Sequence, residues 1–142
     1  MEINKLIEQV KKQKWPQGHF AIFGSALLGV LKLREVPNID VIVDGLLWEK
    51  ILETQSPDNE GFVRIGQIKV SDWWFAPTRK SLLTLISEAE IVEGLPFIKI
   101  EEVLNYKKGL IDDKNKKGVR LIEKWLKGKD GEQFRSNLEL GS

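Results

Sequence analysis

Residues 19–44, HFAIFGSALLGVLKLREVPNIDVIVD, decide the fold that the sequence predicts. The apolar run His19–Phe23 predicts a strand. Gly24 and Ser25 form the turn that follows, with Ser25 placed to cap the next helix. The β-branched run Ile39–Val43 predicts a second strand, buried on both faces. The stretch therefore predicts a strand, a tight turn, a helix and another strand.

The same kinds of pattern continue along the rest of the chain, where strands alternate with helices. This alternation predicts an α/β domain of the α+β type, in which helices cover a mixed sheet. The two strands that flank Gly66-Gln67 are predicted to form a hairpin, and the last two strands are predicted to be short and edge-like. Helices are predicted at Asn4–Lys14, Ala26–Leu33, Leu46–Glu53, Arg79–Glu88, Glu101–Leu110 and Lys117–Lys127, and further strands at Phe62–Ile65, Ile68–Phe75, Ile91–Val92 and Phe97–Ile98.

Length and composition predict one globular domain over residues 1–127, followed by a polar tail over residues 128–142. The chain has 142 residues, of which 42% are apolar and 30% are charged, with a net charge of +1. The lack of cysteine excludes a disulfide framework and a thiolate metal site. The longest mostly apolar stretch, Phe20–Leu31, is too short to span a membrane, and the N-terminus has no secretory pattern. We therefore expect a cytoplasmic protein without a membrane partner.

Two segments of the sequence carry a resemblance to a known family. A strand that ends in Gly24-Ser25, a helix, and a next strand that opens with Asp40 resemble the signature of the nucleotidyltransferase superfamily. Residues 93–108, which contain the sequence GLPFI, and the last predicted helix resemble the C-terminal half of its minimal members, the MNT/AbiEii-like proteins. The resemblance covers roughly residues 18–127. It implies a nucleotidyltransferase-like fold that finishes with C-terminal helices.

The resemblance also implies a site for a nucleoside triphosphate and Mg²⁺. Glycine lets the backbone approach a phosphate, and a helix start presents free amide hydrogens, so Gly24 and Ser25 are candidates for nucleotide binding. Lys107 matches a lysine of the family and is a third candidate. Asp40 and Asp72 are the candidate catalytic residues and metal ligands. The implied activity is transfer of a nucleotidyl group to an acceptor, for which a protein and a nucleic acid are both open.

The sequence departs from the family pattern at the acidic positions. The family usually has a second acid two residues after the first aspartate, on the same strand face, and that position is Ile42 here. Asp44 shares this face but lies roughly 13 Å along the strand from Asp40. Three hypotheses follow: a nucleotidyltransferase, a catalytically inactive, antitoxin-like binding module for a protein or nucleic acid, or an orphan α/β domain whose resemblance is architectural only. Asp40 and Asp72 facing one another across a cleft floored by the Gly24 turn would favour the first, and a buried Ile42 that plugs this cleft would favour the second.

The candidate residues also have structural interpretations. Asp40 can serve as a cap or form a salt bridge with Lys32 or Arg34 instead of binding a metal. Asp44, at a junction between a strand and a helix, is expected to cap the helix, and His19 is expected to be structural. Trp73 can stack on a nucleobase or belong to the core.

We expect Gly24→Val to weaken binding of a nucleoside triphosphate, because a branched side chain blocks the approach of a phosphate to the backbone. Titration calorimetry on the wild type and the variant measures the affinity, and thermal denaturation shows whether the variant is folded. Unchanged affinity in a folded variant would contradict a phosphate site at this turn.

Overall fold

The computed structural model describes residues 3–23, 26–30, 36–73, 81–99, 101–102, 120 and 123–124. Residues 101–102, 120 and 123–124 are helical. Most of the predicted C-terminal helices and the predicted domain end at residue 127 lie outside the described residues. The elements in chain order are α1 (Ile3–Lys12), β1 (Phe20–Phe23), α2 (Ala26–Val30), β2 (Ile39–Val43), α3 (Gly45–Leu52), β3 (Val63–Ile65), β4 (Ile68–Ser71), α4 (Leu82–Ser87), β5 (Glu90–Val92) and β6 (Leu95–Phe97).

The six strands form one sheet in the order β3-β4-β2-β1-β6-β5. Strand β1 pairs with β2 in antiparallel fashion and with β6 in parallel, and β2 also pairs in parallel with β4. The pairs β3–β4 and β5–β6 are antiparallel. The sheet is therefore mixed, which confirms the predicted α+β class.

The two strands predicted from residues 19–44 lie at the centre of this sheet. All four residues of β1 are buried, and in β2 only Asp40 is partly exposed. Helix α1 buries Leu6, Ile7 and Val10 and packs against α2 and β4, whereas α4 packs against β1 and β2. Burial of both strands explains why their sequences are almost continuously apolar. Across the described part of the chain, no helix has the length and apolar character needed to cross a membrane.

The predicted hairpin around Gly66-Gln67 is confirmed, since β3 and β4 are antiparallel neighbours joined by these two residues. Helix α1 is fastened to this turn by two hydrogen bonds. The Nε2 of Gln9 donates to the Oε1 of Gln67 at 2.7 Å, and the backbone N–H of Gln67 donates to the Oε1 of Gln9 at 3.2 Å. The side chain of Gln9 thus sets the position of α1 over the end of the hairpin.

The prediction that the last two strands are both edge-like is wrong for β6. This strand lies between β1 and β5, and Leu95, Pro96 and Phe97 are all buried. A proline lacks an N–H donor and usually indicates an edge strand, which explains the error. The pairing with β1 depends on the end of β6 instead, where Phe97 is in register with Ile22 and the N–H of Ile98 donates to the Ile22 carbonyl at 2.9 Å.

Asp44 joins the end of β2 to the start of α3, as the sequence predicts. Its Oδ1 accepts a hydrogen bond from the N–H of Leu47 at 2.9 Å and so caps the helix. Its Oδ2 lies 2.5 Å from Nδ1 of His19, and its N–H donates to the His19 carbonyl at 2.9 Å. His19 is therefore a structural partner of the cap, also in agreement with its expected role.

We expect Asp44→Ala to lower the free energy of unfolding by about 1–2 kcal/mol, because it removes the helix cap and leaves His19 without its carboxylate. Asp44→Asn is the matched control, since asparagine also caps helices and should retain most of the stability. Urea denaturation at neutral pH measures both variants. If both variants lost the same free energy of unfolding, the helix cap would contribute little to stability.

Candidate functional site

Asp40 lies at the end of the sheet where β1 ends. In the antiparallel register of β1 and β2, Asp40 is the partner of Phe23, the last residue of β1. The chain continues from Phe23 directly into Gly24 and Ser25. These two candidate residues, like Lys107, lie outside the described residues. The described register therefore puts Asp40 beside the point where the chain leaves β1 for the predicted phosphate turn.

Four laterally paired residues form a row across the sheet. Asp40 is in register with Phe23 on one side and with Lys69 on the other, and Lys69 is in register with Arg64. We call these residues, Phe23, Asp40, Lys69 and Arg64, the Asp40 row. Laterally paired residues project from the same face of a sheet, and neighbouring strands are about 4.8 Å apart. The nearest lateral neighbour of the Asp40 side chain on β4 is therefore a lysine.

Apolar and small residues occupy the adjacent row on the same face. Ile42, two residues after Asp40, is in register with Ala21 on β1 and with Ser71 on β4. The side chain of Ile42 is 3% exposed, and Ala21 and Ser71 are also buried. This is the position in which the resembling family has its second acid. Ile42 is a core residue here, and this position therefore supplies no acid.

The described residues around Asp40 do not fit a two-metal centre. Such a centre needs several carboxylates that converge on two cations. Asp40 has Lys69 beside it and Ile42 two residues along the same strand. Within the described ranges, no group of three or more His, Asp or Glu side chains is arranged to hold a metal ion. Among the paired residues of β1, β2, β3 and β4, Asp40 is the only one with a carboxylate.

The structure does not bring Asp72 next to Asp40. The partner of Asp40 on β4 is Lys69, and Asp72 comes three residues later, just beyond the end of that strand. Three residues of strand correspond to roughly 10 Å, in addition to the spacing between strands. Asp72 is exposed. The two aspartates therefore lie towards opposite ends of the parallel pair β2–β4.

Lys69 rests on an aromatic ring. Its Nζ lies 4.0 Å from the ring centroid of Phe62, a cation–π geometry. The ring of Phe62 also packs against Trp73, with centroids 5.0 Å apart and a 47° angle between the ring planes. Phe62 is 9% exposed and Trp73 is half-buried. The contact between the two rings agrees with the core interpretation of Trp73, and it gives Lys69 a firm apolar support.

The last member of the row, Arg64, is paired with Asp58. Its Nε donates to the Oδ2 of Asp58 at 2.9 Å, while the Oδ1 of Asp58 accepts from the N–H of Phe62 at 3.0 Å and from that of Glu60 at 2.9 Å. The backbone N–H of Phe62, and then the Arg64 guanidinium, hold the pKa of Asp58 below its usual value. Asp58 therefore stays ionised, and it keeps the loop before β3 closed onto the strand.

A cleft elsewhere in the molecule has a volume of about 270 Å³ and contains none of the predicted site residues. It lies between the segment after α1 and helix α3. Its lining includes Trp15, Lys50 and Ile65. Because α3 follows the end of β2, this cleft and Asp40 are at different ends of that strand. The candidate site is therefore a surface of the sheet and not this cleft.

Lys69 and Phe62 are the site residues that sequence reasoning missed. The alternation of β4 was visible in the sequence, since Ile68, Val70 and Asp72 share one face and Lys69 belongs to the other. What the sequence did not contain was the register between β2 and β4, which are separated by α3 and β3 along the chain. Only that register shows which residue of β4 lies beside Asp40.

Comparison with known proteins gives one distant structural likeness. The crystal structure of ANT(2'')-Ia in complex with adenylyl-2''-tobramycin matches with a TM-score of 0.45 and 18% sequence identity, over 96% of this chain and 94% of that chain. No protein-family model matches the chain, and no curated protein matches it.

We expect Ile42→Asp to destabilise the protein by about 3 kcal/mol or more, because it places an acid among buried neighbours. Ile42→Val is the matched control and should cost about 1 kcal/mol, the ordinary loss of one methylene group from a core. Urea denaturation measures both. If the aspartate variant were as stable as the valine variant, the position would be accessible to solvent or cations and our placement of Ile42 in the core would be wrong.

Proposed function

We propose that this chain is a nucleotidyltransferase-like protein that binds a nucleoside triphosphate at the end of β1 and does not transfer its nucleotidyl group. The observation that supports this proposal is the burial of Ile42 in the position of the second acid. Two-metal catalysis depends on carboxylates that hold both cations against the attacking and leaving oxygens. A single carboxylate in the Asp40 row is insufficient for that arrangement, so binding is retained without turnover.

The proposed binding site uses the turn after β1 and the Asp40 row. Gly24 and Ser25 offer backbone amides and a hydroxyl to the phosphates, as the sequence predicts, and Lys107 is a further proposed contact. Mg²⁺ arrives with the triphosphate, since proteins commonly bind it through one or two carboxylates together with substrate phosphates. Asp40 is the carboxylate that we assign to it. Nucleotide binding at this site therefore requires one carboxylate, whereas transfer of the nucleotidyl group requires more.

The test of this proposal is calorimetry with each common nucleoside triphosphate, with and without Mg²⁺, on the wild type and on Asp40→Asn. We expect the wild type to bind, and we expect Asp40→Asn to weaken binding about tenfold when Mg²⁺ is present, because a charged contact is lost. Without Mg²⁺ we expect Asp40→Asn to strengthen binding instead, because the carboxylate of Asp40 then repels the phosphates. A pyrophosphate-release assay should detect no turnover in either protein.

Asp72→Asn is the matched control, because it removes the same charge from the other candidate aspartate. The distance along β4 leads us to expect no change in affinity for this variant. Equal weakening by both variants would restore Asp72 as a second ligand. Robust pyrophosphate release that Asp40→Asn abolishes would overturn the inactive assignment. Failure of the wild type to bind any triphosphate, with or without Mg²⁺, would overturn the proposal as a whole.

A further inference from the structure

We propose that the cleft between the segment after α1 and helix α3 binds a small aromatic carboxylate, that is, a flat ring system with a short anionic arm. Protein sites for small molecules commonly have volumes of about 300–1,000 Å³. This cleft has a volume of about 270 Å³, close to the lower limit of that range. One or two fused rings with a carboxylate are therefore a suitable size for it.

The cleft lies on the face of the sheet opposite to the Asp40 row. Its lining includes Ile65, which is in register with Ile68, and Ile68 is in register with Ile39. Ile39 and Asp40 are consecutive residues of β2, and successive side chains of a strand point to opposite faces. A ligand in the cleft is therefore separated by the sheet from the proposed nucleotide site.

Local backbone contacts hold both walls of the cleft in place. At the end of α1, Lys14 has a φ of 54°, in the left-handed region, and its N–H donates to the Lys11 carbonyl at 3.1 Å. At the end of α3, the N–H groups of Thr54 and Gln55 donate to the Ile51 carbonyl at 3.2 and 3.0 Å. The walls are therefore formed before a ligand arrives, which lowers the entropy cost of binding.

The apolar part of the lining includes an aromatic ring. Trp15 is half-buried, and its ring meets the ring of Phe20 edge to face, with centroids 5.7 Å apart and an angle of 70° between the ring planes. Leu47 and Ile51 of α3 add aliphatic surface to the lining. Aromatic rings bury a large area and pack favourably against one another. These side chains therefore suit a flat apolar ligand.

The charged residues of the lining favour an anion. Lys14 and Lys50 contribute two cations, and Glu53 is the single acid among the described lining residues. Neither lysine forms an ion pair with any residue in the described part of the chain. An excess of positive charge around an apolar surface attracts a ligand of opposite charge. We therefore expect the cleft to recognise a carboxylate on the ring and not an amine.

The experiment titrates the full chain with indole-3-acetate, indole-3-acetamide and tryptamine, which are an anion, a neutral molecule and a cation built on the same ring. The indole N–H signals of the five tryptophans are followed by NMR, and Trp15→Phe identifies the signal of Trp15. We expect indole-3-acetate to shift the Trp15 signal most, with a dissociation constant of about 1 mM or lower. The amide should bind about threefold more weakly, and the amine more weakly still.

Charge variants test the two lysines. Lys50→Gln should weaken binding of indole-3-acetate about threefold, and Lys50→Arg should retain it because it keeps the charge. Lys14→Gly should weaken binding by a similar factor without lowering the melting temperature, because glycine adopts a positive φ without strain. Lys5→Gln is the matched control and should leave the affinity unchanged, since Lys5 is an exposed lysine of α1 that does not line the cleft.

Two further variants test the ring of Trp15. Trp15→Leu should weaken binding of indole-3-acetate about tenfold, whereas Trp15→Phe, which keeps a ring, should lose less. Thermal denaturation confirms that both variants are folded. Asp40→Asn should have no effect on this ligand, because Asp40 belongs to the other face of the sheet.

Four results would each overturn the inference, whatever the outcome of the nucleotide titrations. If the amide or the amine bound as tightly as indole-3-acetate, the cleft would not recognise an anion. If Lys5→Gln weakened binding as much as Lys50→Gln, the effect would be one of general charge. If other tryptophan signals shifted and that of Trp15 did not, the ligand would bind outside the cleft. If indole-3-acetate did not bind at about 10 mM, the cleft would not be a site for this class of ligand.

Discussion

The antiparallel pairing of β1 with β2 is the constraint on which the rest of the structure depends. Both strands are buried almost completely, so a slip of one residue would move every side chain to the opposite face and bury Asp40 in place of an apolar neighbour. The register that avoids this sets Asp40 opposite the last residue of β1. At the other end it brings Asp44 to His19, where the cap of α3 is assembled. One pairing therefore fixes both the candidate site and the start of the next helix.

The same register passes through β2 to the hairpin of β3 and β4. Because β2 and β4 are parallel, their register is not set by a short turn, and it relies on packing of the apolar face and on the contacts of the hairpin. Gln9 holds the hairpin turn against α1, and Asp58 holds the loop before β3. The N–H of Ile39 in β2 donates to the carbonyl of Gln67 in the hairpin turn at 3.0 Å, and this bond holds Lys69 level with Asp40. The lateral pairing of residues in the Asp40 row is thus fixed by contacts of residues outside the row.

The sequence predicted the local elements well and the lateral neighbours poorly. The apolar runs, the Asp44 cap and the hairpin at Gly66-Gln67 follow from residue patterns that span only a few positions, and the structure has all of them. The neighbour of Asp40 on β4 depends on residues 29 positions apart, as the pairing of Asp40 with Lys69 shows. No local pattern determines such a pairing. For the same reason Asp72 was a reasonable candidate in the sequence, whereas the register separates it from Asp40.

The composition of the Asp40 row has a consequence for stability that is separate from ligand binding. Two or three carboxylates on one sheet face repel each other, and a protein with that arrangement depends on cations to relieve the repulsion. Here an uncharged isoleucine takes one of the positions, and a lysine stands beside the remaining carboxylate. The charges of Asp40 and Lys69 have opposite signs, as do those of Arg64 and Asp58. Among these four described residues, each carboxylate therefore has a cation beside it.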